Sequence, residues 1–264
     1  MKVAVVLYNL GGPDKPGDVR PFLFNLFNDP MIIGAPGPIR WLLAKLISTR
    51  RALVARNIYA HIGGRSPLLE NTQAQAEALD AALEISGGNE YRTFVAMRYW
   101  HPMAAAVARD VKVYAPDKII LLPLYPQFST TTAGSFLRVW QRAVRKIGLD
   151  CPTKSICCYP TEPGFVAAIT ASVQVALEDV SRDTGVRVLF SAHGLPKQIV
   201  AGGDPYQWQV EQTAKSVVDE LGIEGLDWLN CYQSRVGPLE WIGPSTKDEI
   251  RRAGDEGLTV VIVP

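Results

Sequence analysis

Seven short runs of mostly aliphatic and β-branched residues punctuate the chain, and longer stretches with helical spacing lie between them. The runs are KVAVVLYN (2–9), YRTFVAMRY (91–99), KIILLPLY (118–125), TKSICCY (153–159), VRVLFSA (186–192), LDWLNCY (226–232) and LTVVIVP (258–264). Most are apolar on both faces, the pattern of strands covered on both sides in a parallel sheet. Helical patterns fall at 38–58, 70–86, 102–114, 132–147, 163–182, 206–221 and 245–253. This alternation predicts an α/β fold with a doubly wound parallel sheet and right-handed crossovers. A chain of 264 residues has room for one large domain or two ordinary ones.

An internal match favours two halves. VVLYNLGGP (5–13) aligns without a gap to VLFSAHGLP (188–196), and IILLP (119–123) resembles VVIVP (260–264). The alignment sets Leu10 against His193 and Gly11 against Gly194. The expected organisation is two similar α/β halves, 1–160 and 161–264. Each half would place its loops at the carboxyl ends of its strands, where open sheets bind ligands.

Composition excludes several functions. The net charge of +1, without a basic or acidic tail, gives no field for nucleic acid. No run of about 18 apolar residues is present to span a membrane. Cys151, Cys157, Cys158 and Cys231 form no C-x-x-C pair, so neither a zinc site nor a disulfide framework is expected. The short apolar run at the N-terminus reads as a strand rather than a signal peptide. Cytoplasmic residence follows as the expectation. The segment 31–60 has five Lys/Arg and no acidic residue, with Trp41 and an apolar stripe, which also suits peripheral contact with the inner face of a membrane.

His193 is one of only three histidines, and it stands where an apolar run breaks into a turn opened by Gly194. That position suits chemistry, although a hydrogen-bonded structural histidine is the plain alternative.

Six ordered strings narrow the reading: LYNLGGPD, GGRSPL, MRYWHP, LPLYPQFSTTTAGS, LFSAHGLP and CYQSRVGPLEWIGPST. Together they resemble the ferrochelatase family along the whole chain. The resemblance implies two Rossmann-like, chelatase-type halves with a porphyrin cleft between them, and insertion of Fe²⁺ into a porphyrin to make heme. It implies that His193 is the central catalytic residue, as proton acceptor or as last metal ligand. Neutral imidazole suits either role, with an ordinary pKa of about 6.5.

Further residues take roles from the same resemblance. Leu10, Tyr125 and Trp241 would contact the ring, with a plain core role as the alternative for Leu10 and Tyr125. Arg98 and Tyr99 would line the side opposite the histidine. Ser129, Thr131 and Thr132 would lie near the macrocycle, and such a Ser/Thr run also suits a helix N-cap. Arg51, Tyr59 and Ser66 would hold propionates, for which the guanidinium fork is well shaped.

The expected partners are protoporphyrin IX or coproporphyrin III and ferrous iron as substrate. No permanently bound cofactor is expected. Thr130 stands where iron–sulfur relatives carry a cysteine, so no cluster is expected either. The sequence stops at Pro264, ahead of the acidic turn and closing elements of the family pattern. The second half is therefore expected to be incomplete and its chelatase activity reduced. A non-catalytic tetrapyrrole-binding protein is the alternative function, and a chelatase for another tetrapyrrole or metal is a third.

Overall fold

The computed structural model describes residues 1–180, 185–235 and 239–264. The chain forms two compact units, Met1–Tyr125 with Thr130–Cys157, and Pro126–Ser129 with Cys158–Pro264. Each contains one wholly parallel sheet flanked by helices.

In the first unit the strands are β1 (Lys2–Asn9), β2 (Glu90–Met97), β3 (Lys118–Pro123) and β4 (Thr153–Ser155), in the order β2-β1-β3-β4. β1 is central, and Val3 to Tyr8 are almost wholly buried. Each fully buried aliphatic side chain of this kind contributes about 1.5–3 kcal/mol. The Tyr8 ring stacks on Phe136 at 4.1 Å, and Phe136 stacks in turn on Trp140. The helices are α1 (Val19–Phe27), α2 (Gly37–Ala60), α3 (Leu68–Ser86), α4 (Ala104–Tyr114) and α5 (Ala133–Ile147).

In the second unit β5 (Val186–His193), β6 (Asp227–Gln233) and β7 (Thr259–Val263) pair in the order β6-β5-β7. Its helices are α6 (Pro163–Glu178), α7 (Lys197–Ala201), α8 (Tyr206–Leu221) and α9 (Thr246–Asp255). Val166 and Val173 of α6, Val188 and Phe190 of β5, and Ala214 and Val217 of α8 form its main apolar core. Residues 126–129 are tied into this unit. Gln127 Nε2 donates to Thr213 Oγ1 at 2.8 Å, and Phe128 N–H donates to Gln209 Oε1 at 2.7 Å.

The two sheets repeat one arrangement. β1 lies between β2 and β3 as β5 lies between β6 and β7. Val5 pairs with Ile120 and Val188 with Val261, so the two gapless sequence matches also reproduce the strand register. Under the same correspondence Arg98, just past β2, answers to Gln233, the last residue of β6.

Several boundaries differ from expectation. α1 was not anticipated; its Pro21 falls in the first turn, where a missing N–H is tolerated. The five-residue α7 also escaped notice. Strand β2 ends at Met97, leaving Arg98 and Tyr99 in the following turn. Only Thr153–Ser155 of TKSICCY pairs, as an exposed edge strand. α6 ends at Glu178, and positions 181–182 of the expected helix lie outside the described residues. So do positions 236–238 of the CYQSRVGP string.

Candidate functional site

The polar residues of interest gather at the carboxyl ends of the strands in both units. In the first, β1 runs into Leu10, Gly11 and Gly12. Leu10 packs with Phe22, Tyr99 and Trp100. Gly11 has φ +85°, and a Cβ there would lie 3.0 Å from both Met97 Cβ and Trp100 N. Gly12 lets Ser66 come close, since a Cβ on it would sit 2.4 Å from Ser66 Oγ. Ser66 is fixed by its N–H donating to Pro13 O at 2.9 Å. Tyr59 Oη also faces this turn, 3.9 Å from the Gly12 Cβ position, and burial raises its pKa.

Past β2, Arg98 and Tyr99 enter a buried polar network that the sequence did not reveal. Arg98 Nη2 donates to Asp29 Oδ2 at 2.7 Å, and Arg98 Nε donates to Ser135 Oγ at 2.6 Å. Tyr99 Oη donates to Asp29 Oδ2 at 2.6 Å, and the Ser135 hydroxyl donates to the same oxygen. The guanidinium lies 4.5 Å from the Tyr99 ring centroid. Tyr99 is wholly buried, and burial first, then the Asp29 charge, pushes its pKa well above the ordinary value.

Beyond β3, Tyr125 stands edge-on to Tyr8. Its hydroxyl is buried with no hydrogen-bond partner among the described residues, and burial raises its pKa strongly. Thr131 is buried. Thr132 occupies the N-cap of α5, where the Ser/Thr run was expected to fall, and its side chain makes no capping bond among the described residues.

Arg51 is on α2, whose Ala44, Ser48 and Ala52 are buried. It is exposed, lies 6.0 Å from the Phe27 ring centroid and makes no ion pair among the described residues. The outer face of α2 exposes Leu42, Leu53, Val54 and Ile58, each by more than 60 %. No helix among the described residues is long and apolar enough to cross a membrane.

In the second unit His193 closes β5, opposite Gln233 of β6. Gly194 follows because space is absent: its N–H donates to Gln233 O at 2.7 Å, and a Cβ would lie 2.9 Å from that oxygen and 3.3 Å from Trp241 Cε3. Trp241 is held by a bridge to Pro196, flanked by Ile242 N–H donating to Leu195 O. It borders a cavity of about 670 Å³ with Lys197, Arg235, Leu239, Glu240 and Gly243.

The imidazole of His193 is solvent-accessible by area, yet enough protein surrounds it for burial to lower its pKa. It makes no side-chain hydrogen bond among the described residues. The Tyr206 hydroxyl lies against the His193 backbone, and burial pushes its pKa up to about 12. Asp204, buried, accepts from Ser129 Oγ and from Tyr206 N–H, both at 3.0 Å.

Asp29, Ser135, Asp204 and Tyr206 were not foreseen. The one available signal was the Asp-Pro dipeptide, at 29–30 and again at 204–205, which marks a turn. Nothing in the sequence shows which distant side chains each carboxylate meets.

A parallel α/β arrangement is used twice, with polar side chains at the strand ends of each copy and, at the end of β5, an imidazole that makes no side-chain hydrogen bond among the described residues. The family model described as Ferrochelatase matches residues 2–264. A protein of Caulobacter vibrioides named Ferrochelatase is 54 % identical over 264 residues, covering 100 % of this chain and 75 % of that protein. Similar proteins of the same name are found in Pelagibacter ubique, at 49 % identity with 100 % and 76 % coverage, and in a Wolbachia of Drosophila simulans, at 48 % with 100 % and 84 %. The chain belongs to the ferrochelatase family.

Proposed function

We propose that the protein inserts ferrous iron into a dicarboxylate porphyrin with His193 as the reactive side chain. The observation that carries this is the imidazole at the end of β5, unpaired among the described residues and with its pKa lowered by burial. Insertion exchanges two pyrrole N–H protons for one Fe²⁺, so two H⁺ leave for each metal that enters. A neutral imidazole has a lone pair free at neutral pH, to accept a pyrrole proton or to bind the iron on its way in. A lowered pKa keeps that lone pair available to more acidic pH.

The remaining roles follow from the family pattern. Arg98 and Tyr99 form a fixed polar floor, and Leu10, Tyr125 and Trp241 supply apolar contact to the ring. Arg51, Tyr59 and Ser66 receive propionates, with Arg51 supplying an exposed cation that makes no ion pair among the described residues. Ser129, Thr131 and Thr132 stand near the macrocycle. Iron is substrate, and Thr130 in the turn after Tyr-Pro-Gln supports the absence of a resident cluster. The outer face of α2, apolar with Lys45, Arg50, Arg51 and Arg56 interspersed, suits peripheral contact with an anionic membrane. Co-sedimentation with phosphatidylglycerol vesicles tests that contact, and its loss in Leu53→Ser with Ile58→Ser is the expected result. No observation favours the non-catalytic alternative.

The test of function is anaerobic incubation with Fe²⁺ and either protoporphyrin IX or coproporphyrin III. Conversion of the free-base absorption bands to the metalloporphyrin spectrum at a rate proportional to protein is expected. Saturable binding of both porphyrins with no conversion of either would contradict it.

A further inference from the structure

We propose that Asp29 is a positioning residue for metal insertion: it touches neither porphyrin nor iron and acts by holding Arg98 and Tyr99 in one arrangement. The inference rests on the porphyrin reading of Arg98 given above. Asp29 follows the C-terminal end of α1 and is 2 % exposed. Its acceptors are all engaged within the protein. Oδ2 receives Arg98, Tyr99 and Ser135. Oδ1 receives Met31 N–H at 2.8 Å, and the backbone carbonyl receives Ile32 N–H and Ile33 N–H at 3.0 and 2.9 Å. The side chain is 1 % exposed and both oxygens are bonded within the protein, so the carboxylate does not face solvent.

The geometry specifies what the carboxylate does. Nε and Nη2 form one edge of the Arg98 guanidinium, and that edge is occupied by Ser135 and Asp29. The flat face rests on Tyr99. Nη1 is the nitrogen without a hydrogen-bond partner among the described residues, and the side chain is 14 % exposed. The cation is thus aimed in one direction rather than merely neutralised. A buried ion pair of this kind adds little net stability, but removing one partner strands the other charge. Without Asp29, Arg98 would turn toward water and Tyr99 would lose its acceptor.

The carboxylate is also tied to the chain around it. Asn25 Nδ2 of α1 donates to Tyr99 O at 3.0 Å, while Arg40 of α2 donates to Asn28 O and Ala35 O. The segment that leads from α1 into the basic helix α2 therefore starts from the residue that fixes Arg98. A purely structural Asp29 would hold this segment in place and have no bearing on Arg98.

A double-mutant cycle separates the two roles. Asp29→Asn keeps an acceptor for Met31 N–H and removes the charge facing Arg98. The expected result is a fall in kcat for Zn²⁺ insertion of about 10- to 100-fold, the scale of a misplacement near 1 Å, with porphyrin KM little changed. Combined with Arg98→Leu, it should lower kcat no further than Arg98→Leu alone, because coupled residues are not additive. Ser135→Ala supplies the test if Asp29→Asn does not fold. It should fold with a melting temperature a few degrees lower, because a buried donor loses its partner; its kcat should fall by a smaller factor, and that fall should vanish in an Arg98→Leu background. Losses that multiply in the double variants, or a parental kcat in a folded Asp29→Asn, would overturn the role of Asp29 while leaving Arg98 in place. A parental kcat in Arg98→Leu itself would instead overturn the reading of Arg98, and the positioning role with it.

Discussion

The two units use one strand arrangement and furnish its ends in opposite ways. In the first, the polar groups beyond β2 are engaged with one another: Tyr99, Asp29 and Ser135 are buried, and together they hold one edge of the half-buried Arg98 guanidinium. In the second, the residue that ends β5 is accessible to solvent, and its imidazole makes no side-chain hydrogen bond among the described residues. Its nearby supports, Asp204 and Tyr206, bind Ser129 and backbone and leave the ring alone. A group that must orient a ligand benefits from fixed partners, because each removes a degree of freedom. A group that must take a proton or a metal needs a lone pair that no neighbour occupies.

The largest effect should therefore fall on the second unit. His193→Ala should lower Zn²⁺ insertion by about 10²–10⁴-fold, the range for a positioned acid–base group. Porphyrin binding, followed by fluorescence quenching, should change little. A larger fall from Arg98→Leu than from His193→Ala would reverse the proposed division of labour.

The matched glycines sharpen the comparison at the level of stability. Gly11 has positive φ and a crowded Cβ position, whereas Gly194 has only the crowding. Gly194→Ala should cost about 1–3 kcal/mol through overpacking. Gly11→Ala adds about 1–2 kcal/mol for a left-handed conformation that an L side chain resists. Urea unfolding measures both, and equal losses would contradict the assignment. A small effect is expected for Ser129→Ala through its bond to Asp204, about 1 kcal/mol for that hydrogen bond, and Asp204 keeps Tyr206 N–H as a partner. An unchanged urea midpoint would show that Ser129 contributes nothing through Asp204.

Much of this architecture was legible because periodicity and duplication are local properties of a chain. Apolar runs marked six of the seven strands of the described residues, the exception being the polar edge strand Thr153–Ser155, and the two internal matches together reproduce the pairing register of β1 with β3 and of β5 with β7. Helix α1 was missed, and Pro21 sits in its first turn, where proline is compatible with a helix. His193 stood out because histidine is rare here and Gly194 follows it. Asp29 did not, because its meaning comes from Arg98 and Ser135, which are 69 and 106 residues away in sequence. The extent of Tyr99 burial was equally hidden: MRYWHP places it next to Arg98 but not beneath it.

The central claim is that His193 works as a neutral imidazole whose pKa lies below the ordinary histidine value. Burial disfavours the charged form, so the ring should lose its proton at lower pH than a free histidine and stay active further into acid. The direct test is the pH dependence of kcat/KM for Zn²⁺ insertion in the parent protein and in His193→Ala. The parent should show an acidic limb with its midpoint below about 6.5, and the residual activity of the variant should lack that limb. A midpoint at or above the ordinary value, or an acidic limb that survives in His193→Ala, would contradict the account.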